Sequence, residues 1–173
     1  VEELEGIISA KDAQMTALKD AISAALTNFE GNGLTVEQRD GKVYVSMENK
    51  LLFESGSWAV NTRGREAVMQ LGNVLAENPE IAVLIEGHTD TIAYSGNGNI
   101  KTNWDLSTKR ATSIVSILTE NTKILKENLT AAGRGEFAPI APNTTSEGRS
   151  KNRRIEVILT PKLDEISKLL NEL

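Results

Sequence analysis

The stretch IAVLIEGHTD, residues 81–90, constrains the fold of this chain more than any other. Five apolar residues in a row open it and polar groups close it. A nearly continuous apolar run of this kind predicts a strand buried on both faces, which needs strand neighbours and covering layers. The rest of the chain supplies both. LTVEQRDGKVYVSME places two alternating segments around Asp40-Gly41, the signal of a tight two-residue hairpin. NKLLFESGSWAV reads as a short apolar strand and a turn, LTAAG as an extended piece, and RRIEVILT as an alternating strand.

Helical periodicity appears between these strands. NTRGREAVMQLGNVLAENP predicts a helix capped by Asn61 or Thr62, with Ala67, Val68, Leu71, Val74 and Leu75 on its inner face and Pro79 as its stop. NWDLSTKRATSIVSIL predicts another, capped by Thr102 or Asn103, with Leu106, Ile114, Ile117 and Leu118 facing inward. Residues 91–102 are Gly/Asn-rich and predict a loop. TTSEGRSKN reads as a polar, basic loop. PKLDEISKLLNEL closes the chain as a helix with Pro161 in its first turn. Strands and helices thus alternate from about residue 34 to residue 160. This favours an α+β two-layer sandwich with helices on a mixed sheet.

Residues 2–29 read as one long helix. Ile8, Lys11, Met15, Leu18, Ile22, Ala25 and Phe29 recur at spacings of three and four, a heptad-like seam with Lys11 as its flaw. The seam suits packing on the chain's own domain and a coiled-coil or linker helix equally. The glycines in EGNG at 30–33 stop it. The chain opens on Val1 rather than Met and is read as a fragment or processed form. Contact with a membrane is expected only through an anchor preceding Val1, and a homodimer through the N-terminal helix is one possible assembly.

The chain's 173 residues allow one ordinary domain plus an appendage, and 39% hydrophobic with 25% charged residues fits a folded protein. With no cysteine, disulfides, thiol catalysis and thiolate metal sites are excluded. Net charge is −5, unevenly spread: residues 101–160 carry ten Lys+Arg against six Asp+Glu, a local +4 that leaves −9 for the remainder. The second half suits an anionic partner, whereas the whole is a poor nucleic-acid binder.

One residue of the 103–118 helix contradicts its own pattern. Arg110 lies four positions after Leu106 and four before Ile114, inside the apolar stripe. A guanidinium does not deprotonate, so a buried one needs an anionic partner or a ligand. Asp90, at the end of the apolar strand, is the best internal candidate. A strand leading through a loop into a helix packed back on the sheet brings the strand end near the first helical turns. By spacing alone, a structural salt bridge or an arginine whose head reaches water is the plainer account. The alternative is a crevice for a zwitterion, with an ammonium on Asp90 and a carboxylate held by Arg110.

His88 is the only histidine, and Glu86, His88 and Asp90 alternate so that all three could project from one strand face. A metal site or general acid/base is conceivable there, yet one histidine without a second His or a Cys is a thin ligand set. A structural role is preferred, and neither a metal nor a cofactor is expected. GRSKNRRIE places Arg149, Lys151, Arg153 and Arg154 before the last strand. Alternation sends Arg153 and Arg154 to opposite sides.

In this order, LLFESGSWAV, IEGHTDT, NWDLSTKRA, LTAAGRGEFAPIAPN and SEGRSKNRRIEVIL resemble the OmpA-like peptidoglycan-binding domain family. The resemblance covers about residues 43–160 and looks nearest to the branch containing the flagellar stator protein MotB. It implies a β-α-β-α-β sandwich and a non-enzymatic role. The expected role is non-covalent binding of the peptidoglycan peptide stem, chiefly its diaminopimelate, to anchor an envelope protein to the cell wall. The alternative it leaves is the periplasmic part of a MotB-like stator. It implies a location in the periplasm, attached to the outer membrane or cell envelope. In the family the Asp of HTD and the Arg of LS..R grip the diamino acid, and they fall on Asp90 and Arg110. Asn103 and Arg153 match secondary contacts, with Thr89 and the turn at Gly56 as further contributors. The loop 91–102 is longer than the common pattern, and Arg134 stands where the family often has an aromatic. On this basis residues 1–30 form a linker or coiled-coil-like helix, and residues 31–173 the binding domain with its closing helix. A hydrolase or metal enzyme centred on Glu86, His88 and Asp90 is the remaining rival.

Overall fold

Asp40 and Gly41 both take positive φ, 53° and 73°, which is the backbone of the tight hairpin turn their sequence predicts. They join strand β1 (Leu34–Arg39) to β2 (Lys42–Glu48), with Arg39 paired to Lys42 across the turn. The computed structural model describes residues 1–96 and 98–173. Asn97, within the predicted loop 91–102, and the Glu165 side chain lie outside the described residues.

Before the hairpin comes α1 (Glu2–Ala25); after it come α2 (Asn49–Leu52), α3 (Thr62–Ala76), β3 (Ile81–His88) and α4 (Asn103–Leu118). A 3-10 turn at Lys126–Asn128 leads into β4 (Leu129–Gly133), followed by α5 (Ser146–Asn152), β5 (Arg154–Pro161) and α6 (Asp164–Asn171). The sheet order is β1-β2-β5-β3-β4. Only β3 and β4 are parallel, as their crossover through α4 requires, and the other pairs are antiparallel. The α+β class, the mixed sheet and the flanking helices match the sequence expectation.

One sheet face carries the core. Val43, Val45 and Met47 of β2, Ile81, Val83 and Ile85 of β3, and Ile155, Val157 and Leu159 of β5 are buried there with Val68 and Leu71 of α3 and Ile114 of α4. The opposite face is only half-covered: Ala82, Leu84 and Glu86 of β3 and Ile158 of β5 are intermediate in exposure. The expectation that 81–88 is buried on both faces is therefore corrected. Helices cover one face, and the continuous apolar run reflects a central strand whose second face is half-buried.

Helix α4 lies close against β3. A Cβ placed on Gly87 would meet the Ser107 carbonyl oxygen at 2.0 Å, so only glycine admits the helix at this distance. Thr102 caps α4 with a reciprocal capping box: its hydroxyl accepts from the Asp105 N–H at 3.2 Å and the Asp105 carboxylate accepts from the Thr102 N–H at 3.2 Å. Asn61 caps α3, accepting from the Gly64 N–H at 2.8 Å.

Three local expectations are corrected. NKLL is a single helical turn rather than a strand; the turn and the lone Phe53–Val60 bridge after it let Leu51, Leu52 and Phe53 all reach the core. SEGRSKN is helix α5 rather than a loop, capped by the Thr145 hydroxyl on the Gly148 N–H at 3.0 Å. Pro161 ends β5 instead of starting the closing helix, which begins at Asp164. In α1, Met15, Leu18 and Ile22 are buried in the sheet's core together with Leu26 and Phe29, while Ile8 near the start is 47% exposed.

Candidate functional site

The topology gathers chain ends at one end of the sheet. Parallel β3 and β4 both finish there, antiparallel β5 begins there, and α4 starts there. A cavity of about 580 Å³ opens at this end. Its wall includes Gly56, Thr89, Asp90, Asn103, Arg110 and Arg153, the six residues singled out from sequence. Phe53 and Tyr94 also line it.

Asp90 sits just past β3 and is 5% exposed. Its Oδ1 accepts from the Ile92 N–H at 3.0 Å, and its Oδ2 receives Arg153 Nη1 at 2.6 Å. Asn103 opens α4 and donates its amide to the Ile92 carbonyl at 3.0 Å and more weakly to the Asp90 carbonyl at 3.4 Å, fixing the start of the loop over the cavity. The Thr89 hydroxyl donates to the Asp90 carbonyl at 2.9 Å. Gly56, at φ 70°, offers its carbonyl to the Tyr94 hydroxyl at 3.4 Å.

Arg110 does not pair with Asp90. Its Nε donates to the Ser57 carbonyl at 2.8 Å, and its guanidinium carbon lies 5.1 Å from the centre of the Phe53 ring. It is 5% exposed, and among the described residues it has no carboxylate partner. Burial pushes its pKa down to about 10; Tyr94 and Asp90 act to raise it and Arg153 to lower it. It stays a cation at neutral pH. The plainer account, an Asp90–Arg110 salt bridge, is not what forms: Asp90 pairs with Arg153, and Arg110 is left a buried cation able to meet an anion. The group that orients Arg110 is the Ser57 carbonyl, a backbone atom with no side-chain signature to read.

Of the four cations before the last strand, Arg153 alone lines the cavity. Arg149 donates to the Asn143 carbonyl at 3.0 Å, and Lys151 pairs with Glu147 on the surface. Arg154 turns to the other side, as alternation predicts, and is 2% exposed. It bonds the Ala138 carbonyl at 3.0 Å and the Asn152 carbonyl at 3.2 Å, and reaches the Glu156 carboxylate at 3.4 Å.

Glu86, His88 and Asp90 do not share one face. Glu86 and His88 join Glu156 beside Arg154, whereas Asp90 turns into the cavity once the strand has ended. His88 Nε2 is 3.2 Å from Glu86 and 3.4 Å from Glu156. Burial first, then Arg154 and Arg134, lower the His88 pKa to about 3, so the ring is neutral. The ligand atoms of Glu86, His88 and Glu156 lie within 4.8 Å of one another, a spacing that could hold a metal ion. Arg154 on Glu156 and Arg134 at 3.7 Å from Glu86 already balance both carboxylates. The group reads as a buried charge network.

The profile of the OmpA family matches residues 52–153, a span that holds all six cavity residues singled out from sequence. The chain belongs to the OmpA family. Motility protein B of Bacillus subtilis is 36% identical to this OmpA-family chain over 118 residues, 68% of the chain and 45% of the relative. Probable lipoprotein YiaD of Escherichia coli is 31% identical over 150 residues, 87% of the chain and 63% of the relative. The chain therefore spans roughly half to two thirds of these relatives. Among solved structures, a putative MotB-like protein from Desulfovibrio vulgaris shares the fold at a TM-score of 0.81 and 24% identity, over 92% of this chain and 99% of that one. The cell wall anchor of the T6SS from Pseudomonas aeruginosa matches at 0.73 and 26% identity, over 82% of this chain and 97% of that one.

Proposed function

We propose that this chain binds the peptide stem of peptidoglycan non-covalently, through its diaminopimelate, and so anchors an envelope protein to the cell wall from the periplasm. The observation that carries this reading is Arg110: a buried cation with no carboxylate partner among the described residues, facing the same cavity as Asp90. A guanidinium fixed by the Ser57 carbonyl still has its outer N–H groups to grip a carboxylate. Asp90 supplies the anion for the ligand's ammonium, which would share or displace Arg153. Membership of the OmpA family and likeness to a cell wall anchor support the same reading.

The test is retention on purified sacculi, with a diaminopimelate titration followed by NMR. Asp90→Ala and Arg110→Ala should each weaken retention by about tenfold or more, because each leaves a charge of the ligand unmatched. Retention of the double variant at the wild-type level would refute the proposal. A second reading, the wall-gripping part of a motility stator, is favoured by the 36% identity to Motility protein B. It requires a membrane helix with an ion-coupling carboxylate in the full gene product.

A further inference from the structure

We propose that Trp104 and Phe137 form a platform for the pyranose rings of a glycan strand, a subsite adjoining the cavity; this rests on the stem-peptide reading above. The two rings stack with centroids 5.1 Å apart and planes inclined by 26°, yet Trp104 is 50% and Phe137 62% exposed. Aromatics are only 4% of this chain, and neither of these belongs to its hydrophobic core. A stacked aromatic pair turned outward in this way is suited to a contact rather than to packing.

Its position decides the ligand class. The first turn of α4 carries Asn103 in the cavity wall and Trp104 beside it on the outer surface. Because β4 runs parallel to β3, the chain after Gly133 emerges at the same end as Asp90. Gly135 ties the two places together. Its carbonyl accepts from the Thr89 N–H at 2.8 Å, and its own N–H donates to the Ser107 hydroxyl at 3.0 Å. A Cβ there would lie 3.4 Å from the Trp104 ring and 3.5 Å from the Phe137 ring. One residue thus joins the cavity's wall to the base of the platform.

In the wall polymer the peptide stem is covalently attached to an amino sugar. A stem held in the cavity therefore delivers sugar rings to the surface bordering it. The apolar C–H face of a pyranose complements an aromatic face, and Glu136, next to Phe137 in the chain, is half-exposed and carries a polar group suited to its hydroxyl substituents. The rings are neutral and need no ion pair. This separates the subsite's chemistry from that of Asp90 and Arg110.

The probes are whole sacculi, free diaminopimelate and chitotetraose, a β-1,4-linked tetramer of N-acetylglucosamine. Trp104→Ala and Phe137→Ala should each lower retention on sacculi by roughly threefold to tenfold, a loss exceeding their loss for free diaminopimelate. In the wild-type protein, chitotetraose should shift the Trp104 indole N–H resonance and leave that of Trp58 in place. Unchanged retention of both variants, equal losses on both ligands, or an unmoved Trp104 resonance at millimolar chitotetraose would each overturn the platform. Because the titration uses the wild-type chain, a poorly folding variant does not remove the test. Failure of the underlying reading looks different: Asp90→Ala would then bind sacculi as wild type does.

Discussion

Asp90 is neutralised by Arg153, Oδ2 to Nη1 at 2.6 Å across 63 residues of sequence, and not by Arg110. The cavity therefore holds one satisfied ion pair and one buried cation whose only polar bond among the described residues is to a neutral carbonyl. This division of labour is measurable. A double-mutant cycle on unfolding with Asp90→Asn and Arg153→Gln should give a coupling of about 1–2 kcal/mol, moderated because Arg153 is partly exposed. The same cycle with Asp90→Asn and Arg110→Gln should give less than about 0.5 kcal/mol. Equal couplings would contradict the geometry.

Arg110 should cost the fold stability. Burial lowers its pKa from the ordinary arginine range to about 10, so desolvation penalises the charged form throughout the neutral range. Arg110→Met removes the penalty and fills the same stripe. We expect stability to rise by about 1–2 kcal/mol and Tm by roughly 2–6 °C, with loss of retention on sacculi. A calorimetric scan beside a pull-down reads both effects.

His88 predicts acid sensitivity. Its folded pKa of about 3 lies below its ordinary 6.5, so below pH 6.5 the unfolded chain takes up a proton that the folded chain does not. Stability is full above pH 6.5 and falls as pH drops toward 3. Between pH 6.5 and 4.5 the loss should be about 2–3 kcal/mol. His88→Gln should flatten that segment of a urea-midpoint profile, whereas an unchanged slope would mean that the ring is not buried neutral.

Much of this site was legible, and the reasons are local. Asp40-Gly41 and Thr102 through Asp105 carry turn and cap chemistry in their own few residues, and the structure bears them out. Arg110 stood out because a cation broke an apolar stripe. What the sequence hid depends on distant partners. The register of β5 against β3 sets Arg153 beside Asp90, and no pattern within either segment encodes it. Helix α5 has no apolar periodicity. It is held by the Asn152 side chain, which donates to the Ala141 carbonyl and Asn143 Oδ1 and accepts from the Ile140 and Ala141 N–H groups. The five-residue apolar run of β3 looked doubly buried because hydrophobicity does not reveal how much of the second face is covered.

Gly87→Ala should disturb the site from below. The added methyl group collides with the Ser107 backbone, which cannot yield as a flexible side chain would. Moving α4 shifts Asn103 and Arg110 together. We expect a stability loss of roughly 3 kcal/mol and weakened retention on sacculi, checked by urea denaturation and pull-down.

Ile22 and Met15 test the role of α1. Both are fully buried in the core shared with the sheet. Ile22→Ala or Met15→Ala should lower stability by about 2–5 kcal/mol in one cooperative transition. A change below about 0.5 kcal/mol would make α1 an independent linker.

Strand β5 is clasped on both sides, by six residue pairs to β2 and eight to β3, all antiparallel. Arg153 stands at its head, and the next residue, Arg154, is fastened to two carbonyls and a carboxylate. Tension applied to Arg153 along the strand would load both ladders in shear, with many bonds resisting at once instead of parting one by one. The strand would therefore keep its place under a load that first parts whatever contact is made at Arg153.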